Sequence, residues 1–177
     1  SAITSSGGAI NIVGSSNTTG MGVLFATGTN SVSSTTGVLN ITGINTSTNP
    51  VQGLLLQAPS NTIVSTTGAI TLNGQSANYT GMEFNSNGNG VSNTSYIYST
   101  TGAINLIGQS SGNRTATYSS MPIGAYMSGT VVDIGWNGAS SITSGAITIQ
   151  GADAGANLTP CAISCVGGAT GSMVVKS

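Results

Sequence analysis

The chain has 177 residues, of which 38% are hydrophobic and only 3% are charged, and its formal net charge is −1. Ordinary soluble domains carry roughly 25% charged residues, so the charge content of this chain is unusually low. Nucleic acid is disfavoured as a partner, because neutralising phosphates takes many Lys and Arg side chains and the chain has two. No apolar run approaches the ~20 residues of a membrane-spanning helix, and the regular placement of the apolar residues favours a folded chain over a disordered one.

One ten-residue pattern recurs along the chain. Its copies are SSGGAINIVG from Ser5, STTGVLNITG from Ser34, STTGAITLNG from Ser65, STTGAINLIG from Ser99 and ITSGAITIQG from Ile142. Each copy has a turn, a glycine and a short alternation of apolar and polar residues, which predicts a half-buried strand. The marker glycines, at positions 8, 37, 68, 102 and 145, lie 29, 31, 34 and 43 residues apart. This spacing predicts a repeat protein with coils of about thirty residues.

Two further rows of apolar residues lie between the markers. The second row consists of MGVLFAT from Met21, QGLLLQA from Gln52, TGMEFNS from Thr80 and IGAYMSG from Ile123, and GSMVVKS from Gly171 aligns as a fifth member. Aligned on Gly22, Gly53, Gly81 and Gly124, this row predicts inward side chains at Val23 and Phe25, Leu54 and Leu56, Met82 and Phe84, Ala125 and Met127, with Leu24, Leu55, Glu83 and Tyr126 outward. The third row is Val32, Ile63, Ile97 and Ile142.

Three short strands per coil, separated by Gly, Asn, Ser and Thr turns, predict an all-β solenoid that winds a triangular coil. Helix is disfavoured because the apolar residues alternate with period two and good helix formers such as Glu, Lys and Arg are scarce. We treat residues 1–177 as a single domain.

The marker strands predict two features that run along the solenoid. Coils stacked ~4.8 Å apart would build an aliphatic core column, made of Ile10, Ile12, Leu39, Ile41, Ile70, Leu72, Ile104, Leu106, Ile147 and Ile149. The polar residue between each pair then faces outward. These residues predict an outer ladder of Asn11, Asn40, Thr71, Asn105 and Thr148.

The runs GAINIVG, GVLNITG, GAITLNG, GAINLIG and GAITIQG resemble the repeats of the filamentous haemagglutinin family of secreted bacterial adhesins, and of related autotransporter passengers. The resemblance covers nearly the whole chain. It implies a single-stranded right-handed parallel β-helix of about five coils, a location outside the cell or on its surface, and a fibre that serves adhesion or biofilm formation. The repeats indicate how the solenoid coils, but they do not indicate which ligand it binds.

Catalysis is not expected. The three carboxylates, Glu83, Asp133 and Asp153, fall in different coils, with Asp133 in an apparent insertion, whereas general acid-base chemistry needs such groups within hydrogen-bond reach. A serine nucleophile would lack a histidine or lysine base. We therefore expect no enzyme activity, no cofactor and no metal site.

The insertions between repeats are the places where individual contacts are expected, because loops on a rigid scaffold commonly carry function. Tyr126, Asp133 and the only tryptophan, Trp136, are candidate contact residues for a sugar or a neighbouring subunit, and the alternative is that Trp136 packs over the coil as a lid. Cys161 and Cys165 form either a disulfide or two free thiols. Since residues four apart on a straight strand are ~13 Å apart, a disulfide would require a turn.

Two functions are open at this point. The first is a stiff, low-charge fibre or adhesin segment whose uncapped ends continue end to end, by head-to-tail stacking of the same subunit or by more of the same polypeptide. The second is a binding module that recognises a polysaccharide or an ice surface through the flat Asn/Thr face. The expected partners are thus the chain itself and, in the second case, surface glycans.

Overall fold

The computed structural model describes residues 1–85, 93–111, 123–126, 130–136, 143, 145–153, 163–166 and 172–176. The regular structure in these ranges consists of β-strands, and the strands pair in parallel. The predicted all-β solenoid is confirmed.

The strands form three sheets. The first sheet contains β1 (Ala2–Ser5), β4 (Thr29–Ser34), β7 (Ser60–Ser65), β10 (Asn93–Ser99), β13 (Thr130–Ile134) and β16 (Ser172–Val175). The second sheet contains β2 (Ile10–Ser16), β5 (Leu39–Asn45), β8 (Ile70–Ser76), β11 (Ile104–Ser110) and β14 (Ile147–Asp153). The third sheet contains β3 (Val23–Phe25), β6 (Leu54–Leu56), β9 (Met82–Asn85), β12 (Ile123–Tyr126) and β15 (Ile163–Val166).

Each strand pairs with the strand that comes three elements later in the chain, so three consecutive strands make one coil. The strands from β1 to β15 therefore build five coils, and β16 stacks on β13 as the first side of another. The hydrogen-bonding direction runs along the axis of the solenoid, which is the direction in which any further coil would add.

The core column lies along the inner face of the second sheet. Two files of residues pair in register: Ile10, Leu39, Ile70, Ile104 and Ile147, and then Ile12, Ile41, Leu72, Leu106 and Ile149. Both members are fully buried in each of the three middle coils, whereas Ile12, Ile147 and Ile149 at the two ends are only partly buried. The core is thus continuous along the axis, and its burial is least complete in the terminal coils.

A serine and a glycine define the corner between the first and second sheets. In the third coil the Gly68 N–H donates to Ser65 Oγ at 2.9 Å, and the Gly37 N–H donates to Ser34 Oγ at 2.9 Å one coil earlier. A Cβ added to Gly68 would overlap the carbonyl oxygen of Gly37. From the second coil onward, the marker glycines at positions 37, 68, 102 and 145 are therefore required, because the backbones of successive corners approach too closely for a side chain. At Gly8, in the first coil, an added Cβ would meet only Ser5 Oγ, at 3.4 Å.

A second glycine contact lies between the second and third sheets. Gly74 lies within β8 with its missing side chain directed at the backbone of Gly81, and an added Cβ would overlap the Gly81 carbonyl oxygen. The second and third sheets are thus in direct backbone contact there. At the equivalent position one coil later, Gly108 lies within β11, which continues to Ser110.

The third sheet differs from the predicted alignment in its last coils. Ala125 pairs with Phe84 and not with Met82, because Ile123 takes the place opposite Met82. The fifth strand is Ile163–Val166, whereas GSMVVKS, which had been aligned to this row, contributes β16 to the first sheet. Met127 lies outside the described residues. Insertions shift the repeats near the C-terminal end, so alignment on a glycine alone misplaces them.

The first sheet also corrects two assignments. Ile134 occupies the position expected of Ile142, since it pairs with Ile97 and continues the file of Val32 and Ile63. Ile142 itself lies outside the described residues. Asp133 is not in an insertion: it is part of β13, where it pairs with Tyr96 and Val174.

Candidate functional site

The outer ladder is placed in register along the second sheet. Asn11 pairs with Asn40, Asn40 with Thr71, Thr71 with Asn105, and Asn105 with Thr148. Asn40 Nδ2 donates to Asn11 Oδ1 at 2.8 Å, the geometry of an amide ladder. Among the described residues this is the one ladder hydrogen bond, because the alternation of Asn with Thr interrupts the amide series. The file therefore ties the first two coils together more than it forms a uniform polar surface.

The carboxylate of Glu83 lies on the third sheet and is enclosed by polar side chains. Glu83 is only 7% exposed. Gln52 Nε2 donates to its Oε2 at 2.8 Å, and Asn85 Nδ2 donates to its Oε1 at 2.8 Å. Burial raises the pKa of Glu83, and the side-chain hydrogen bonds from Gln52, Asn85 and Thr80 partly oppose that rise. Burial and then the charge of Glu83 raise the pKa of the neighbouring Tyr79.

Glu83 and Leu55 were both expected to face solvent. Both are buried, with Leu55 only 2% exposed. Leu55 pairs with Glu83 across the sheet, so the carboxylate continues a file that is apolar in the preceding coil. A charge in this position is tolerated because amide donors from Gln52 and Asn85 replace part of its hydration.

Lys176 interacts with both Asp133 and Trp136 near the end of the first sheet. The Lys176 Nζ lies 3.8 Å from the centre of the Trp136 ring, which is a cation–π contact. Burial raises the pKa of Asp133, while the charge of Lys176 lowers it. One face of the indole is thus covered by the chain's own cation, which favours the lid over a sugar-stacking platform.

The remaining predicted residues are not brought together into a site. Tyr126 lies in β12, where it pairs with Asn85 and Val166. Asp153 is the last residue of β14, so the three carboxylates belong to three different sheets. Cys165 lies in β15, opposite Ala125, and Cys161 lies outside the described residues. The described ranges contain no group of three residues suited to hold a metal ion.

The first coil forms an open end in the structure. Its strands β1, β2 and β3 are each the outermost strand of their sheet. Ile3 is 46% exposed, whereas Val32, its partner in the second coil, is 1% exposed. Three core residues of the first coil, Ile12, Val23 and Phe25, are only partly buried. The apolar interior of the solenoid is therefore accessible at this end.

The backbone of β2 shows which groups are left unpaired at that end. Ile10 N–H donates to Val38 O at 2.9 Å, and Ser16 O accepts from Thr46 N–H at 2.9 Å. In a parallel ladder the backbone groups of successive residues point to alternate sides of the strand. The groups of Asn11, Val13 and Ser15 consequently point away from β5, toward the open edge.

Charge does not protect this edge. Natural sheet edges are commonly guarded by Lys, Pro or inward-pointing charges. The side chains of residues 1–82 carry no charge, since the first charged residue in the chain is Glu83. The side chains of the first two coils are therefore all uncharged.

Comparisons of the chain with protein-family models, with curated protein sequences and with solved structures found no match. The similarity to filamentous haemagglutinin repeats thus stays a prediction from the sequence pattern. Within the part of the chain described by the structure, no helix is long and apolar enough to span a membrane.

Sequence reasoning missed the polar enclosure of Glu83. The signal that would have found it is the spacing of about one coil between Gln52 and Glu83, which places an amide donor over a carboxylate in neighbouring coils. No sequence signal predicts that Leu55 and Glu83 are buried, because alternation alone assigns both residues to the outer face.

Proposed function

We propose that this chain is a structural segment of an extracellular fibre or adhesin, a stiff β-solenoid whose first coil stacks against another β-solenoid coil. The observation that carries the proposal is the open first coil: three unpaired strand edges surround a partly exposed apolar interior. A further coil would satisfy both the backbone groups and the apolar surface.

The partner of the open coil must match its strand edges and its apolar interior. A matching surface must offer parallel strand edges on three sides and an apolar centre. At the other end of a second copy, β16, β14 and β15 are the outermost strands, and Ile147 and Ile149 of β14 pack against the core. Contact between two different ends of the same molecule is heterologous and propagates into a filament. More of the same polypeptide would use the identical contact.

The extracellular location and the adhesin role rest on the similarity of the repeats to secreted bacterial fibres. The low charge supports a filament, because copies repel each other little. The contact between the first coil and another coil would consist of apolar surface and backbone hydrogen bonds, so we expect assembly to depend little on salt.

A single substitution can test the open edge in the 177-residue chain. Val13 is 71% exposed, and by the ladder alternation its N–H points to the open edge, so Val13→Pro removes an edge donor without breaking a hydrogen bond to β5. Val13→Ala is the matched control, since it shortens the side chain and keeps the N–H. We expect sedimentation velocity to show concentration-dependent polymers for the unmodified chain and Val13→Ala, and shorter polymers or monomers for Val13→Pro.

Salt provides a second readout in the same experiment. The polymer distribution should barely change between low and high ionic strength. A monomer at every concentration and salt condition would overturn the self-assembly form of the proposal, and equal polymerisation of Val13→Pro would show that β2 is not in the contact.

A further inference from the structure

The marker glycines repeat one contact at each step between coils. A Cβ added to any of the later four would overlap the carbonyl oxygen of the marker glycine one coil earlier. The pairs are Gly37 on Gly8, Gly68 on Gly37, Gly102 on Gly68, and Gly145 on Gly102. Each of these glycines therefore directs its missing side chain at the preceding coil, and it is needed because another corner lies there.

Gly8 is a marker glycine for which the described chain supplies no such contact. An added Cβ would meet only Ser5 Oγ, at 3.4 Å, and Gly8 does not have a left-handed φ that would disfavour alanine. By the repeat, its missing side chain points away from the second coil, toward the open edge of the first. A coil stacked on that edge would make glycine necessary at this position.

We propose that a second copy of this chain stacks on the first coil with the carbonyl oxygen of its Gly145 against Gly8, and with its β14 paired to β2. This inference rests on the proposed function, because it specifies the register in which the open first coil is filled. The contact at Gly8 would then be the same glycine contact that joins successive coils within the chain.

The second sheet supplies a matching edge for this register. β2 and β14 each have seven residues, and the strands between them keep one register throughout. Stacking would place Ile147 of the second copy against Ile10, and Ile149 against Ile12, so that both files of the core column continue across the contact. Ile12, Ile147 and Ile149 are only partly buried in the single chain, and the stacked copy would remove more of their apolar surface from water.

A rotation of one third of a turn about the axis gives another register. It would place β1, β2 and β3 on β14, β15 and β16 of the second copy, which are the outermost strands of the three sheets. The seven-residue β2 would then lie on the four-residue β15. Gly8 would also lie away from the Gly145 corner. Both features favour the register in which each sheet continues into the same sheet of the next copy.

In the favoured register, β1 and β16 compete for one place in the first sheet. β16 of the second copy lies on its own β13, at the level that β1 of the first copy would take. We expect β1 to leave the stack, because its Ala2, Ile3 and Thr4 are exposed. β16 is followed by Lys176, whose ammonium packs on the ring of Trp136.

Gly8→Ala tests the corner contact. The single chain should accept the new methyl group, whereas a stacked copy would place the Gly145 carbonyl oxygen against it. We expect the protein concentration at which polymers form to rise about tenfold or more, as overpacking implies, with the melting temperature of the dilute chain unchanged. Sedimentation velocity measures the polymers. Gly7→Ala is the matched control, because an added Cβ there meets only Thr36 Oγ1 at 3.6 Å.

A pair of introduced cysteines tests the register without relying on Gly8. Asn11 and Thr148 hold the same ladder position in β2 and β14, so stacked copies would bring them ~4.8 Å apart, within the span of a disulfide. Asn11→Cys mixed with Thr148→Cys under mild oxidation should give a covalent dimer, with the linked peptides identified by mass spectrometry. Asn11→Cys mixed with Asn105→Cys is the control, since Asn105 lies between strands of its own chain. The unmodified chain controls for Cys161 and Cys165.

The outcomes separate this register from the fibre itself. Polymers of Gly8→Ala at the same concentration as the unmodified chain would overturn the register and leave the fibre proposal standing. The same holds if polymers form but Asn11→Cys and Thr148→Cys link no more than the control pair. An unmodified chain that forms no polymers at any concentration would overturn both proposals.

Discussion

Ser99 Oγ donates a hydrogen bond to the carbonyl oxygen of Gly68 at 2.9 Å, across the step from one coil to the next. Ser99 Oγ also accepts a hydrogen bond from the Gly102 N–H of its own turn, at 3.0 Å. One hydroxyl thus closes a corner and ties it to the preceding corner. Ser65 makes the same two kinds of contact one coil earlier, and this double role explains why serine and glycine recur three positions apart in four of the five repeats.

Replacing Ser99 by Ala should destabilise the fold. Both hydrogen bonds of a fully buried hydroxyl are lost, and we expect the free energy of unfolding to fall by about 1–3 kcal/mol. Chemical denaturation measures the change. Thr101→Ala, an exposed position in the same turn, is the control and should change stability by less than about 0.5 kcal/mol. Equal effects of the two variants would contradict the corner role.

Replacing Gly74 by Ala tests the contact between the second and third sheets. The new methyl group would overlap the Gly81 carbonyl oxygen, so backbone atoms must move. We expect a loss of about 3 kcal/mol or more in unfolding free energy, at the upper end of overpacking effects. At Gly7 an added Cβ meets only Thr36 Oγ1 at 3.6 Å, an ordinary contact, so Gly7→Ala should be tolerated. A Gly74→Ala protein as stable as Gly7→Ala would show that the sheets are further apart than described.

The amide ladder should contribute a small amount to stability. Asn40→Ala removes the 2.8 Å hydrogen bond to Asn11, and because the pair is accessible to water we expect a loss of about 0.5–1 kcal/mol. Thr42→Ala, two residues further along β5, changes an outward position for which no side-chain hydrogen bond is described. Thermal unfolding that ranks Thr42→Ala as the more damaging change would contradict the ladder.

The two buried carboxylates predict how stability depends on pH. Burial raises the folded-state pKa of both Glu83 and Asp133 above their ordinary values. A group of this kind adds stability that is fully present below its unfolded pKa, about 4.3 for Glu, and that is lost as the pH rises through the raised folded pKa. The melting temperature should therefore be higher near pH 4.5 than near pH 7.

The composition of the chain makes the result of this pH test simple to interpret. The chain has no histidine and only three acidic side chains, so few other groups titrate in the same range. Glu83→Gln should flatten the dependence of the melting temperature on pH, with Asp133→Asn removing part of the remainder. A melting temperature that rises from pH 4.5 to pH 7, or a slope unchanged in Glu83→Gln, would contradict the assignment.

Much of the fold was predictable from sequence because a solenoid repeats the same local constraint. The spacing of Gly37, Gly68 and Gly102 fixes where each coil begins, and alternation on either side of Asn40 and Asn105 fixes which residues point inward. The register of the core column follows from these two facts. Short-range pattern and long-range pairing agree throughout the second sheet.

The later coils were less predictable because insertions separate the repeats. Ile142 fits the local pattern of the third row, yet Ile134 takes that place in the sheet, eight residues earlier. A single sequence contains no signal that distinguishes an inserted loop from a lengthened coil.

The central claim is that the first coil stacks on another coil. Electron microscopy of the purified 177-residue chain over a range of concentrations tests it most directly. The account predicts unbranched fibres of uniform width with an axial subunit repeat of roughly 25 Å, about five coils at ~4.8 Å each, and shorter fibres or none for Val13→Pro. Isolated particles at every concentration, or fibres whose only axial repeat is that of single stacked strands, would contradict it.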